Sequence, residues 1–596
     1  MKYKSIPGMF FSQADKYGDK PVQQYKRAGQ WVNITWNQMK GEVEHIALGL
    51  LELGLNKGEN VCILAENRPE WAHADLGIVA AGGVNAAIYA TNTPQQVEYI
   101  INDSEARFIF ASNKLQLDKI MKIRSNIPKL KKVIVFDSPD TNPDQNFIIS
   151  LESLKSLGAS AKDKAAIEKR YNTIQPDDLL TIVYTSGTTG EPKGAMLTHK
   201  NLLTNCEDVE AYVPIKDTYL ALSFLPLSHS FERMAGYYTM LFYGATIAYA
   251  ESIDKVISNI AEVKPNVMVS VPRVYEKMYA KIIEGVETGS SSKKKIFYWA
   301  LDTGKQTMPY KLGGKPIPFG LNLKYAIAKK LVFRKIKEIL GGRLLFFVSG
   351  GAPLSKELGE FFYAADIMII EGYGLSETSP VLTVNPFGKM KYGTAGKPIP
   401  NCEIRIAPDG EILAKGPMIM KGYFKKPEAT QEVIDKDGWF HTGDIGFLDN
   451  EGYLHITDRK KDLIVTAGGK NIAPQPIENL LKMNRYIEQV AMIGDKKPYC
   501  VALVTPKFDA VEAYAKQNNI LYKDRKELVS NTQVVALIQN AIDNVNASLA
   551  KYETIKKFKV LPTEFSQETG ELTPTLKIKR RVVMEKYKDT IEELYV

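Results

Sequence analysis

Through the first 400 residues, short apolar runs alternate with stretches whose apolar positions recur at helical spacing. Val61-Cys-Ile-Leu-Ala65, Phe108-Ile-Phe-Ala111, Val133-Ile-Val-Phe136, Leu179-Leu-Thr-Ile-Val183, Val267-Met-Val-Ser-Val271 and Leu344-Leu-Phe-Phe-Val348 read as buried strands. The run from Ala72 to Ala81 reads as a helix. Strands alternating with helices imply parallel sheets covered on both faces. From about Gly396 the pattern shifts to shorter strands, with hairpin turns at Pro408-Asp-Gly-Glu and Asp449-Asn-Glu-Gly-Tyr. A compact terminal unit follows Asp458, with strands at Gln489–Ile493 and Cys500–Val504. Val535, Ile538, Ile542, Val545 and Leu549 mark one face of a helix there.

A chain of 596 residues exceeds one hydrophobic core, so several domains are expected. With 44% hydrophobic and 24% charged residues, wholesale disorder is excluded. The net charge of +9 suits anionic ligands or acidic headgroups. No base-stacking motif or DNA-reading module accompanies it, so no nucleic-acid partner is expected. Cys62, Cys206, Cys402 and Cys500 form no C-x-x-C pair, which disfavours a disulfide framework or a zinc site. No secretory signal is legible, and no apolar run reaches the roughly 18 residues of a membrane span. These features predict a cytoplasmic protein, with peripheral contact on the inner face of the membrane left open. The segment 289–340 is the candidate for that contact. Three lysines precede Ile296-Phe-Tyr-Trp299, and Leu323–Leu340 interleaves Lys and Arg with Ile327, Leu331, Val332, Ile336 and Ile339. A helix packed on the protein with a solvated basic face is the alternative.

The most informative loop is Tyr184-Thr-Ser-Gly-Thr-Thr-Gly-Glu-Pro-Lys-Gly194, directly after a predicted strand. Its glycines let backbone N–H groups turn toward an anion, its hydroxyls donate, and Lys193 adds a mobile positive charge. The Walker spacing is absent, so this is a phosphate cradle of another kind. Four further segments join it. Ser349-Gly-Gly-Ala-Pro-Leu354 follows a strand, where glycines let backbone approach a ligand. In Glu371-Gly-Tyr-Gly-Leu-Ser-Glu-Thr378, Tyr373 offers a flat face for a purine, and Glu377 and Thr378 offer hard oxygen ligands for Mg²⁺. Trp439-Phe-His-Thr-Gly-Asp444 ends in a carboxylate able to accept two ribose hydroxyls. Ile456-Thr-Asp-Arg-Lys-Lys-Asp-Leu463 is a charged crossing to the terminal unit.

On these segments, which occur in the family's order, the chain resembles the adenylate-forming superfamily of acyl-CoA synthetases, firefly-type luciferases and peptide-synthetase adenylation domains. The resemblance covers nearly the whole chain. It implies an α/β fold: a large N-terminal domain (1–458) with two parallel doubly wound sheets and a smaller distorted β-barrel-like sheet, a hinge at 459–461, and a small α+β lid domain (462–596). It implies that Thr185, Ser186, Gly187, Thr188, Thr189, Gly190 and Lys193 cradle the β- and γ-phosphates of ATP. Gly351, Ala352, Gly372 and Tyr373 would line the adenine and acyl-carbonyl pocket. Thr378 and Glu377 would meet phosphate and Mg²⁺, with Thr185 as a second metal contact. Asp444 and Arg459 would hold the ribose, Lys461 would be the hinge, and Gly468-Gly469 would approach the thiol tunnel. Lys577 would be the catalytic lysine of the lid. The chain has Thr-Leu-Lys where many relatives have Ser-Gly-Lys, which makes Lys579 a rival for that role.

Within that superfamily the chain most resembles long-chain fatty-acid–CoA ligases, through its 293–340 insertion, the Gly342–Ser355 run and Leu572-Thr-Pro-Thr-Leu-Lys577. The implied reaction forms acyl-AMP and pyrophosphate from a fatty acid and ATP, then transfers the acyl group to CoA. Alternatives are delivery to a carrier-protein thiol, action on medium-chain or aryl acids, and a non-catalytic sensor. The sensor predicts a missing Lys193 or Lys577, and both are present. Glu377 as a helix cap and His229 as a positioning histidine also stay open, as does a homodimer.

Overall fold

The computed structural model describes residues 1–138, 144, 146–185, 191–467, 470–573 and 578–596. The predicted alternation builds two large sheets. In the first, Leu179–Thr185, Val84–Ile88, Asn60–Leu64, Phe108–Ala111, Lys132–Val135 and Ile148–Ser150 run parallel in that spatial order. Their Val, Ile and Ala side chains are buried on both faces, as a helix-covered parallel sheet requires. The sheet ends antiparallel, with Lys193–Thr198 beside Leu179–Thr185 and Gly422–Tyr423 at the edge. Connection 186–192 is too short for the crossover of about a dozen residues that a parallel return needs. The phosphate-cradle sequence therefore joins two antiparallel strands.

In the second sheet, Thr246–Tyr249, Leu220–Ser223, Val267–Ser270, Phe346–Ser349 and Met368–Gly374 run parallel. Pro21–Arg27 extends the parallel set, and Gln30–Thr35, Val381–Val384 and Lys397–Pro398 form antiparallel edges. Both sheets are therefore parallel in the middle and antiparallel at a margin. The expected barrel-like element is a four-stranded antiparallel sheet, Glu403–Ile406, Glu411–Lys415, Phe440–Leu448 and Leu454–Arg459, joined by both predicted hairpin turns.

One core cluster spans the two large sheets, with Trp36, Trp71, Tyr237 and Tyr238 fully buried. Polar side chains lock this seam. Asp75 pairs with Arg233 and accepts from the Tyr238 hydroxyl at 2.7 Å, while Arg233 Nη1 donates to Thr181 Oγ1 at 2.7 Å. Thr181 lies on the strand that leads into the phosphate cradle. A buried ion pair left without one partner is strongly destabilising, so this network fixes the strand's seating.

The terminal unit holds Ile487–Ile493, Cys500–Pro506 and Ile555–Val560 in one sheet, packed by helices Pro474–Lys482 and Thr532–Asn546. The latter helix packs Ile538 and Ile542, with Val545 and Leu549 against them, as read from the sequence; only at its start does Val534 take the buried place expected of Val535, which is half-buried. The basic segment forms helices Ser291–Leu312, Phe319–Ala328 and Arg334–Ile339, the last two joined by a wider π turn, Lys329–Phe333. Tyr325, Ala328, Val332, Phe333 and Ile336 pack into the core. Asp366 fastens this face, accepting from Tyr325 at 2.7 Å and pairing with Lys311, Lys329 and Lys337. Among the described residues no helix is long and apolar enough to cross a membrane.

Candidate functional site

Strand Met368–Gly374 and the turn after it divide the site into two polar clusters. On one side Tyr373 donates its hydroxyl to Asp444 Oδ2 at 2.6 Å, and Arg459 Nε lies 3.2 Å from Asp444 Oδ1. Asp444 and Arg459 are directly opposite on antiparallel strands, so the sheet register itself brings them together. The Asp444 backbone N–H donates to Thr442 Oγ1, which in turn donates to Ile412 O at 2.7 Å. Burial first, then Asp444, push the Tyr373 phenol far above its ordinary range, so it stays a donor. The arrangement presents a buried carboxylate and an aromatic ring to one small volume.

On the other side, Lys193 Nζ lies 5.1 Å from the centre of the Tyr423 ring, and Tyr423 donates to Glu377 Oε1 at 2.8 Å. Tyr423 reaches this place because Gly422–Tyr423 pairs with Ala195 and Met196 on the cradle hairpin. The Met420 N–H also donates to Glu377 O at 2.8 Å. Burial and then Glu377 push the Tyr423 phenol up, so it keeps the proton that it donates to Glu377. Among the described residues Glu377 caps no helix with its side chain. Its Oε2 makes no hydrogen bond among the described residues.

Thr378 is fully buried, and its hydroxyl binds Leu375 O at 3.0 Å and Pro380 O at 2.5 Å within its own turn. The hydroxyl thus shapes the turn that aims Glu377. Gly374 permits that turn, because a Cβ there would lie 1.6 Å from Pro380 O. Thr185 sits at the cradle's start, its hydroxyl 3.4 Å from Lys193 O.

Gly351 takes φ +78°, a left-handed conformation that favours glycine, and Ala352 follows it at the end of strand Phe346–Ser349. Glu371 ties this loop to the next strand by accepting from the Leu354 N–H at 3.0 Å. Burial pushes the Glu371 carboxyl up to about 8. Gly372 pairs with Val384 beside it. His229 Nδ1 accepts from the Phe231 N–H at 3.1 Å, which places the proton of the neutral ring on Nε2.

The structure brings Tyr373, Asp444 and Arg459 together, and separately sets Lys193 and Glu377 around Tyr423. The sequence alone shows neither Tyr423 nor the Glu371 tie. Tyr423 stands in a two-residue strand with no periodicity, and only non-local pairing reveals it. Lys461 is exposed in the turn after Leu454–Arg459. Ser186, Gly187, Thr188, Thr189, Gly190, Gly469 and Lys577 lie outside the described residues. The terminal unit rests on the large one where Arg273 pairs with Glu488 and Ser355 Oγ meets Met483 Sδ at 3.5 Å.

The AMP-binding enzyme model matches residues 10–424, and the AMP-binding enzyme C-terminal domain model matches 461–596. A long-chain-fatty-acid–CoA ligase of Mycobacterium bovis is 36% identical over 100% of this chain and 97% of its own. A long-chain-fatty-acid–CoA ligase of Homo sapiens is 34% identical over 99% of this chain and 85% of its own. The adenylation domain of a carboxylate reductase from Mycobacterium chelonae superposes with TM-score 0.77 at 23% identity, covering 100% of this chain and 92% of that one. An anthranilate–CoA ligase in complex with anthranoyl-AMP superposes with TM-score 0.74 at 19% identity, covering 99% and 98%. The fold, both family models and full-length identity agree: the chain belongs to the AMP-binding enzyme family.

Proposed function

We propose that this enzyme activates a long-chain fatty acid with ATP and passes the acyl group to CoA. The observation that carries the reading is the 36% identity to a long-chain-fatty-acid–CoA ligase along the entire chain, both units included. In the first step a fatty-acid carboxylate oxygen attacks the α-phosphorus of ATP, and the bond to pyrophosphate breaks. In the second, a thiolate attacks the acyl carbonyl carbon and AMP leaves. Neither step needs a covalent protein intermediate, so positioning and charge carry the catalysis.

Thr185, Ser186–Gly190 and Lys193 hold the β- and γ-phosphates, so Lys193 stabilises the departing pyrophosphate. Tyr373 stacks the adenine, bordered by Gly351, Ala352 and Gly372. Asp444 and Arg459 hold the ribose. Glu377 and Thr185 fit Mg²⁺, since a single carboxylate beside substrate phosphates is the donor set that ion takes. Bound there, it would neutralise charge on phosphate oxygens. Lys577 serves the first step. Rotation about a hinge at 459–461, between domains 1–458 and 462–596, then removes it and brings Gly469 to the thiol.

A panel of carboxylic acids of increasing chain length, assayed for CoA thioester, tests this function. The expected result is CoA-dependent AMP release that is fastest with palmitate-like acids. An enzyme that makes adenylate and ignores CoA would instead deliver to a carrier-protein thiol. A preference for aryl or medium-chain acids would overturn the substrate class.

A further inference from the structure

The helical segment 319–339 has an inner face that the core explains and an outer face that it does not. Phe319, Leu323, Ile327 and Leu331 recur every fourth residue and are 87%, 57%, 45% and 47% exposed. Residues four apart stack along one side of a helix. The inner residues Tyr325, Ala328, Val332 and Phe333 are buried, so the exposed row is a second, separate apolar stripe. Beside it lies a surface depression of about 560 Å³ lined by Ala326, Lys329, Lys330, Arg334, Lys337, Glu338 and Gly342.

Charge tells what covers this face. Between residues 313 and 343 the sequence has eight Lys or Arg and one acidic residue, Glu338. Asp366 is shared by Lys311, Lys329 and Lys337, and Glu338 pairs with Arg334 at 3.0 Å. Lys324, Lys330 and Lys335 make no ion pair among the described residues. A second copy of the chain would set these cations against its own, which disfavours self-association through this face. A nucleic acid would satisfy the cations and leave the apolar stripe in water. An anionic bilayer satisfies both at once, with phosphates at the surface and hydrocarbon just beneath.

We propose that the outer face of residues 319–335 docks this enzyme on an anionic lipid bilayer, with Phe319, Leu323, Ile327 and Leu331 entering the acyl boundary and the Lys330–Arg334 depression receiving headgroup phosphate. Binding at this face is independent of substrate and of the reaction proposed above.

Co-sedimentation with phosphatidylcholine vesicles, with and without phosphatidylglycerol, tests it in the full-length protein without substrates. The wild-type chain is expected to bind the anionic vesicles and to release as ionic strength rises from about 0.1 to about 1 M. K330Q/R334Q should weaken binding about 30-fold, from two lost cation contacts near the surface. L323S/I327S should weaken it at least about tenfold through lost apolar burial. K523Q/K526Q, on exposed lysines of the terminal unit, should bind like wild type. If a double variant loses its thermal transition, K330Q alone should still weaken binding about fivefold. Equal binding to neutral and anionic vesicles overturns the proposal. So does wild-type binding by the 330/334 and 323/327 variants, an equal loss in the 523/526 control, or a change in light-scattering mass with vesicle binding unaltered.

Discussion

Replacing Tyr423 with Phe removes one oxygen atom and keeps the ring beneath Lys193. The lost hydroxyl is 2.8 Å from Glu377 Oε1, and Glu377 is 9% exposed, so little water can take its place. A hydrogen bond to a charged group contributes about 1.5–3 kcal/mol, which corresponds to roughly 10- to 150-fold in a rate or binding constant. With Glu377 as the Mg²⁺ ligand, the loss should fall on the adenylation step. Pyrophosphate exchange should slow by about tenfold or more, with the Mg²⁺ dependence shifted to higher concentration. Tyr423→Leu should add a smaller decrement, because a cation–π contact is worth about 0.5–1 kcal/mol at an exposed site. Thioester formation from supplied acyl-AMP should stay near wild type in both. If Tyr423→Phe exchanges pyrophosphate within about twofold of wild type, the hydroxyl does not orient Glu377 for chemistry. If both half-reactions fall together, the residue supports the fold and not the phosphate side of the site.

Other outcomes follow from the same geometry. Lys577→Ala should abolish adenylation and spare thioesterification of supplied acyl-AMP, and equal loss of both, measured by AMP release, would argue against domain alternation. Asp444→Asn should raise KM for ATP by about tenfold or more, since a charge-assisted hydrogen-bond acceptor becomes neutral; unchanged ATP saturation curves would remove it from the ribose site. Glu232 is fully buried, and burial pushes its carboxyl up to about 8, above its unfolded value. The stability held by its neutral form is therefore complete below the unfolded pKa of about 4.3 and is lost as pH rises toward 8, at no more than about 1.4 kcal/mol per pH unit. Urea midpoints from pH 5 to 8 should flatten in Glu232→Gln, and an unchanged slope would show that another group sets it.

What could be read from the chain follows the range of the interactions. Buried strands such as Phe108–Ala111 announce themselves by continuous apolar runs, and the structure places that one at the expected residues. The two hairpins at Asp409 and Asn450 were legible because turn chemistry is local. Antiparallel margins were not, since pairing of Gly422–Tyr423 with Ala195 and Met196 joins positions more than 200 apart. The same reason hid Tyr423, whose role comes from its neighbours and not from its own flanks. Asp444 and Arg459 were named one by one through resemblance, yet their direct opposition follows from a bulged register between Ile445 and Gly446 that no composition announces. Phe319, Leu323, Ile327 and Leu331 show the converse case. Their periodicity is plain in the sequence, but only burial separates the stripe that faces the core from the one that faces outward.

Arg459, the ribose contact proposed above, lies beside Asp444 and stands two residues before Lys461, in the proposed hinge. On that proposal one short strand end would serve as both nucleotide contact and pivot. A rotation that twists the pivot must shift the energy of the Asp444–Arg459 pair, so the two domain orientations cannot hold nucleotide equally well. Linkage makes this reciprocal: the factor by which rotation changes nucleotide affinity is the factor by which nucleotide changes the balance of orientations. Exchange of ATP for AMP in the site would then act as the signal that resets the lid, with no separate sensor required.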